Sequence, residues 1–460
     1  MVKNSAYNVL YTLANVVFSL ISSIYVSRIL QPEGVGKYSY ALTFATYFVS
    51  LASLGIQVYG VREIAKVRNN AEAKNKIFSE LFLINLATSC LALILYLFVI
   101  YQVQAYKEDL GLYLRFGLLI AANILNIDWL YKGEESYGYI TLRSIIVKTC
   151  SMILLVLWVH DASDVNRYAD ITVLASCGNY IYNVLHAKRI VRFTVKDLQL
   201  ARHMKPNVIL AVSFFFGDLY NKIDITMLGM FSTEYAVGIY SNAHKIVNIV
   251  ISCCIAATGT FLPRLSSVIK ADKHEATNIV NKGLDVLTFL CVPFMLGLCA
   301  ISKRAILLLY GETFSDAAIT VNVLASLVII RGIGDLVCYQ LLIATGKEKL
   351  RVPANAITAV LNIGMNSLLI PVLRENGAAV ASVLSELFVN GFLYVRMKKE
   401  VPFQFKWSET VKVLAASIVM FAFAYAIGRL NIPLLLSIAV SILGSVVIYI
   451  GLNWIMKNEG

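Results

Sequence analysis

Apolar runs of about 20 residues, each closed by Pro, Gly or charged residues, recur along the whole of this 460-residue chain. A run of that length suits a helix crossing a hydrocarbon core of roughly 30 Å. Lipid offers no partner for backbone N–H and C=O groups, so a spanning segment must satisfy them itself, which a helix does. About fourteen such runs are present, near residues 7–29, 38–60, 78–102, 112–131, 141–159, 169–187, 206–230, 237–262, 279–301, 317–344, 352–372, 378–396, 410–428 and 432–455. They are too long and too continuously apolar for the alternating strands of a barrel. The predicted fold class is all-α, a polytopic integral membrane protein. The composition agrees, with 58% hydrophobic and 15% charged residues.

Lys and Arg resist translocation, so their distribution orients the spans. Alternate connections carry about 24 of them, including Lys3, Lys188, Arg189, Arg192, Arg202, Lys270 and Lys457, against about seven on the other side. That bias predicts cytoplasmic positions for both termini and accounts for most of the +12 charge. A nucleic-acid partner is therefore not needed to explain the basicity. The first apolar run has no small-residue cleavage site and is read as an uncleaved helix. The eight cysteines lie mostly inside apolar runs without CxxC spacing, which excludes the usual metal and redox patterns. No GxxxxGK[ST] loop is present either, so no cofactor, metal or enzymatic activity is expected.

Residues 34–41 read GVGKYSYA and residues 236–243 read AVGIYSNA, 202 positions apart. The same offset carries Arg62 to Arg264, and LYKGEES (130–136) has a weaker echo in IATGKEK (343–349). Six spans, an even number, separate corresponding elements, so the halves enter the membrane in the same direction. Parallel repeats of this kind build transporters that bind cargo at the repeat interface. The corresponding division is an N-terminal lobe over 1–200, a C-terminal lobe over 201–400 and an additional helix pair over 401–460. The Gly-rich QPEGVGK lacks phosphate-loop spacing and reads as a tight extracytoplasmic turn.

Polar groups inside the spans are costly and mark pathways or paired helices. The first span carries Asn8, Tyr11, Asn15, Ser19 and Ser22 down one face, with Arg28 near its outer end. The seventh holds Asp218, Asn221, Lys222 and Asp224. The eighth has Tyr240, His244 and Asn248 at steps of four, beside Lys245, and the tenth has Arg331, Asp335 and Tyr339 at the same step. Two readings stay open. Asp218 with Lys222 and Arg331 with Asp335 are spaced to pair within one helix and glue helices together; alternatively the stripes line a hydrated cavity. Arg28, Lys37, Lys222, Lys245 and Arg331 fall at mid-membrane or in its outer half, where together they would attract a phosphate or pyrophosphate.

Several strings together resemble the bacterial polysaccharide transporter family, the O-antigen and lipid-linked oligosaccharide flippases of the multidrug and oligosaccharide exporter superfamily. They are SRILQPEGVGKYSYA, SLGIQVYGVREIAKVR and NIDWLYKGEESYGYITLRS, the last with Asp128, Trp129, Gly133, Glu135 and Arg143 in the family's places. The second half adds KIDITMLGMFSTEYAVGIYSNAHKI, FLPRLS and ENGAAVASVLSE. The likeness runs to about residue 400. It implies a flippase of two six-helix lobes that passes an undecaprenyl-pyrophosphate-linked oligosaccharide from the cytoplasmic to the outer leaflet by alternating access. The setting would be the bacterial cytoplasmic membrane, with membrane lipids and polysaccharide assembly proteins as further partners and a monomeric chain.

By the same resemblance Arg28 and Arg331, then Lys222 and Lys245, meet the anionic headgroup, and Arg62 serves as an inner-gate contact. Asp218, Asp224, His244 and Asp335 are the candidates for ion coupling. A multidrug exporter of the same superfamily is the rival reading, although twelve spans are typical there. A membrane glycan polymerase or ligase would need a large outer loop, and no outer connection exceeds about a dozen residues.

Overall fold

The computed structural model describes residues 2–259, 261–269 and 271–456. Lys270 and Lys457 lie outside the described residues, as do the side chains of Lys3 and Asn8. Described residues form helices and connections, with no strand among them. A helix lies along each of the fourteen apolar runs, though not always over its full length: α1 (2–30), α2 (32–53), α3 (Ala71–Gln102), α4 (Leu110–Ala122), α5 (Tyr137–Trp158), α6 (Val165–Ala187), α7 (Ala201–Phe231), α8 (Glu234–Thr258), α9 (Lys273–Leu309), α10 (317–344), α11 (351–373), α12 (375–400), α13 (Trp407–Ile427) and α14 (Leu434–Ile455). Among the described residues, nine helical stretches are long and apolar enough to cross a membrane. Two of these, Ala14–Lys66 and Arg351–Glu400, have 53 and 50 residues, each too long for a single crossing. The chain is a multi-pass membrane protein.

Local chemistry sets where the helices begin. Asn70 caps α3 by accepting from the Ala73 amide at 3.0 Å, and Asp272 caps α9 through the His274 and Glu275 amides at 2.8 and 3.0 Å. With 37 residues, α9 extends about 55 Å and so outruns the hydrocarbon core.

Three expectations are corrected. The fourth expected span, 112–131, is broken: its helix ends at Ala122, Asn126 and Ile127 are not helical, and Asp128–Gly133 is a separate short helix. QPEGVGK is not a loop: the chain bends sharply at Gln31, whose φ of 59° is left-handed, and helix resumes at Pro32. Proline suits a first helical turn, where its missing N–H is no loss. The second expected span, 38–60, is also shorter than predicted. It stops at Leu54 and Gly55, with φ of 41° and 73°. A Cβ at Gly55 would lie 2.6 Å from the Leu210 Cβ, so both conformation and space call for glycine. Arg62 therefore sits on a separate short helix, Ile56–Lys66.

The chain divides into two compact units, Met1–Thr226 and Met227–Gly460, with the boundary inside α7. In the first unit, the stretch 2–53 packs against α3, α4 and α5, and α4 and α5 pack against α6. In the second, α9, α13 and α14 form one packed layer, and α8 packs against α10.

The repeat is visible inside each unit. An offset of 202 takes Gln31 to Thr233, which caps α8 by accepting from the Ala236 amide. The repeated tyrosine then anchors its helix to the sixth helix of its own half: the Tyr38 hydroxyl bonds Thr172 on α6 at 2.8 Å, and the Tyr240 hydroxyl bonds Ser382 on α12 at 3.0 Å. A short helix follows in both halves, Ile56–Lys66 with Arg62 and Phe261–Val268 with Arg264.

Candidate functional site

In the first unit, α7 meets α2 through two side-chain bonds. Lys222 donates to the Thr46 hydroxyl at 2.9 Å, and the hydroxyls of Tyr47 and Thr226 bond at 2.8 Å. The i, i+4 partner suggested by spacing, Asp218, forms no ion pair with Lys222. Asp224 is buried. Arg28 and Arg62 are exposed. Lys37 pairs with Asp109 at 3.1 Å and lines a pocket of about 340 Å³ with Gln31, Glu33 and Asn166. Lys37 and Lys222 thus meet different partners on different helices.

The residues of the first unit that carry the family likeness pack together. Arg143, 5% exposed, donates to the Asp128 carboxylate at 3.0 Å and to the Asn183 amide oxygen, with Tyr139 stacked on Tyr131 beside them. Trp129 is fully buried against Gly60, where a Cβ would come within 2.7 Å of its ring. Glu135 pairs with Arg68 at 3.0 Å, and Arg68 also donates to the Gly133 carbonyl. A second cluster fastens the start of α7. The fully buried Glu80 carboxylate accepts from Arg202 at 2.6 Å and from the Gln199 amide at 2.6 Å, and His203 bridges it to Tyr59. Most of these polar groups meet partners within the fold, while the buried Trp129 Nε1 and Arg143 Nε make no hydrogen bond among the described residues.

The second unit holds a polar cluster midway along α10. Arg331 on α10 places Nε and Nη2 each 2.9 Å from Glu386 Oε1 on α12. Its Nη1 donates to the Asn248 amide oxygen at 3.2 Å, and Asn390 donates to Glu386 Oε2 at 2.9 Å. The His244 ring stacks on Tyr240, with centroids 5.6 Å apart, and lies 3.1 Å from Asn248 Nδ2. Lys245 is half-buried beside it.

Spacing suggested Asp335 as the partner of Arg331, and the structure differs. α10 opens into a π-helical turn over Asp335–Gln340, and Gln340 donates across it to Asp335 Oδ2 at 2.7 Å. A π-turn interrupts the i, i+4 register, and such turns concentrate at functional sites. The expected residues Arg331, His244 and Asn248 therefore do come together, whereas Asp335 stands apart with Gln340.

Sequence reasoning missed two groups. Glu386 is a lone carboxylate ending ENGAAVASVLSE with no basic neighbour on its own helix face, and Lys148 is a lone cation inside IIVKTCSMILL. Both isolated charges in apolar runs were the available signal.

Behind the polar cluster, α8, α9, α13 and α14 enclose an apolar groove of about 450 Å³, lined by Phe289, Pro293, Phe294, Met420, Val446 and Tyr449 among others. Arg304 of α9 fixes the helix pair that closes it. It donates to the Ser437 and Ser441 hydroxyls at 2.6 and 2.8 Å and to the Ala424 carbonyl at 2.7 Å.

Residues 1–269 match the model of a family described as polysaccharide biosynthesis protein, and residues 180–449 match that of lipid II flippase MurJ. A relative in Escherichia coli (strain K12), named "Putative O-antigen transporter", is 21% identical over 86% of this chain and 97% of its own. The capsular polysaccharide biosynthesis protein CapF of Staphylococcus aureus is 23% identical over 84% and 96%. Among solved structures, lipid II flippase MurJ in an inward closed conformation superposes with a TM-score of 0.80 at 14% identity, covering 97% of this chain and 98% of that one. An inward-facing multidrug resistance transporter of the MATE family, of the MOP superfamily, gives 0.65 at 13% identity, covering 84% and 94%.

Proposed function

The chain belongs to the polysaccharide biosynthesis protein family, and from that premise we propose that it is a flippase moving an undecaprenyl-pyrophosphate-linked oligosaccharide from the cytoplasmic to the outer leaflet. The observation that carries this reading is the pairing, inside one unit, of a polar mid-membrane cluster around Arg331 with a separate apolar groove. A lipid-linked sugar is itself divided in this way, into a charged, hydrated head and a hydrocarbon tail. Arg331 and Asn248 offer donors to the head, and the groove offers a dry wall to the tail.

A doubly charged head with several sugars crosses hydrocarbon at a very high energetic cost, so the catalytic contribution is a polar path rather than bond chemistry. The lobes 1–200 and 201–400 would alternate access to that path, with both termini in the cytoplasm and the protein in the bacterial cytoplasmic membrane. Asp218, Asp224, His244 and Asp335 are the titratable groups available for coupling to an ion gradient.

The test is the leaflet distribution of the lipid-linked oligosaccharide in cells that carry a deletion or Arg331→Ala. Accumulation on the cytoplasmic face is the expected result. Unchanged glycan export together with altered drug tolerance would instead assign the chain to the exporters of the superfamily. Substrate turnover that is indifferent to both proton and sodium gradients would remove the coupling role.

A further inference from the structure

One charged side chain lies deep in the first unit without an answering charge. Lys148 is 11 residues beyond Tyr137 and 10 before Trp158, the two ends of α5. At 1.5 Å per residue that places it about 15 Å from either end, further than its four-methylene stem can snorkel to the interface.

Its face is defined by its neighbours. Leu142, Ile146, Ile153 and Leu157 form the exposed side of α5, each more than half accessible. Lys148 is half-buried on another side, in line with Thr141, Ser144 and Met152. That line rests on α1: the Thr141 hydroxyl donates to the Tyr7 carbonyl at 3.1 Å, and the Ser22 hydroxyl points to Met152 Sδ at 3.9 Å. Those contacts bracket Lys148 and put it level with Asn15 and Ser19, the centre of the polar stripe on α1.

Three other cations within the helices are answered inside the fold. Asp128 neutralises Arg143 and Glu386 neutralises Arg331, while serine hydroxyls and carbonyls hold Arg304. Lys148 makes no hydrogen bond or ion pair with any described residue. An ammonium at this depth is costly, and such groups pair or mark a pathway.

We propose that Lys148 is a docking point for the negative charge of the cargo, a phosphate-type or carboxylate anion that passes along the polar face of α1. This rests on the flippase reading, and it adds a cation from α5 to the residues that meet the head.

The test uses the full chain in nanodiscs and measures binding of undecaprenyl pyrophosphate, of neutral undecaprenol and of free glucuronate. Wild type should prefer undecaprenyl pyrophosphate over undecaprenol. Lys148→Met should weaken the anionic lipid about tenfold, the scale of one charge-assisted contact, and leave undecaprenol unchanged, while Lys148→Arg retains the preference. Loss confined to glucuronate would identify the anion as an acidic sugar rather than the phosphate. Lys148→Gln serves the same comparison if the Met variant does not purify. Wild-type affinity for both anions in Lys148→Met and Lys148→Gln would overturn the proposal alone. A wild type that binds neither anion would overturn the flippase reading and this proposal with it.

Discussion

Substituting Glu386 by alanine isolates the energetics of the mid-membrane cluster. Glu386 Oε1 receives two Arg331 donors at 2.9 Å, and the side chains are 11% and 23% exposed. Removing one partner of a buried pair costs about 3 to 5 kcal/mol because the remaining charge is left uncompensated. Arg331 keeps its bond to Asn248 and reaches partly out of the protein, so the lower end applies, about 3 kcal/mol or roughly two decades in the folded-to-unfolded ratio. Replacing both partners, Arg331→Met with Glu386→Leu, removes both desolvated charges and should return stability to within about 1 to 2 kcal/mol of wild type. Reversible unfolding in mixed micelles, run on wild type, both single variants and the double, closes the thermodynamic cycle. The reasoning is refuted if Glu386→Ala is as stable as wild type, or if the double variant is no more stable than the weaker single. Stability and function should also separate: the double variant is expected to fold yet fail to clear lipid-linked oligosaccharide from the cytoplasmic leaflet.

Three further outcomes can be checked independently. Gly60→Ala should destabilise the first unit by about 1 to 3 kcal/mol, since the added Cβ meets the Trp129 ring at 2.7 Å; unchanged thermal unfolding would contradict this. Arg304→Leu strips partners from the buried hydroxyls of Ser437 and Ser441, and amide exchange across 424–445 should accelerate while the first unit stays as protected as before. Asp164, just before α6, accepts from the His160 amide at 2.9 Å, from the Asp161 amide at 3.1 Å, and pairs with Arg167 at 2.7 Å, which together hold its carboxyl below the usual range. Because the folded state binds this proton less readily than the unfolded one, its stabilisation is complete above the unfolded value of about 3.9 and fades as pH drops below it; the stability gap between wild type and Asp164→Asn should therefore shrink below about pH 4.

What the sequence made legible follows from how local the cause was. Span positions came through because hydrocarbon imposes a length on every helix independently of its neighbours. The duplicated heptad also came through, and the structure gives it a mechanical meaning: it marks the start of α2 and α8 and carries Tyr38 and Tyr240, each tied to the sixth helix of its half. Of the two readings left open for the charged stripes, the intrahelical pairs do not form, and for a shared reason. Asp218 with Lys222 and Arg331 with Asp335 have ideal i, i+4 spacing, yet Lys222 turns to Thr46 on α2 and Arg331 turns to Glu386 on α12. An intrahelical pair is worth only about 0.2 to 0.5 kcal/mol, so a neighbouring helix that offers a better-shielded partner overrides it. Periodicity along one helix does not contain that partner.

The same logic applies to the residues that carry the family likeness. Asp128, Trp129, Gly133, Glu135 and Arg143 identify the family because their partners lie inside the fold and must be kept together: Arg143 needs Asp128, Trp129 needs Gly60, and Glu135 needs Arg68. A cation already neutralised in this way meets cargo only by exchanging one anion for another. At Arg331 that exchange would set Glu386 free, and a carboxylate released at mid-membrane must find water, a proton or a cation. Binding of an anionic head at Arg331 is thus tied by charge balance to the fate of Glu386. At Lys148, which pairs with no carboxylate among the described residues, the proposed docking would release no internal anion and would carry no such link.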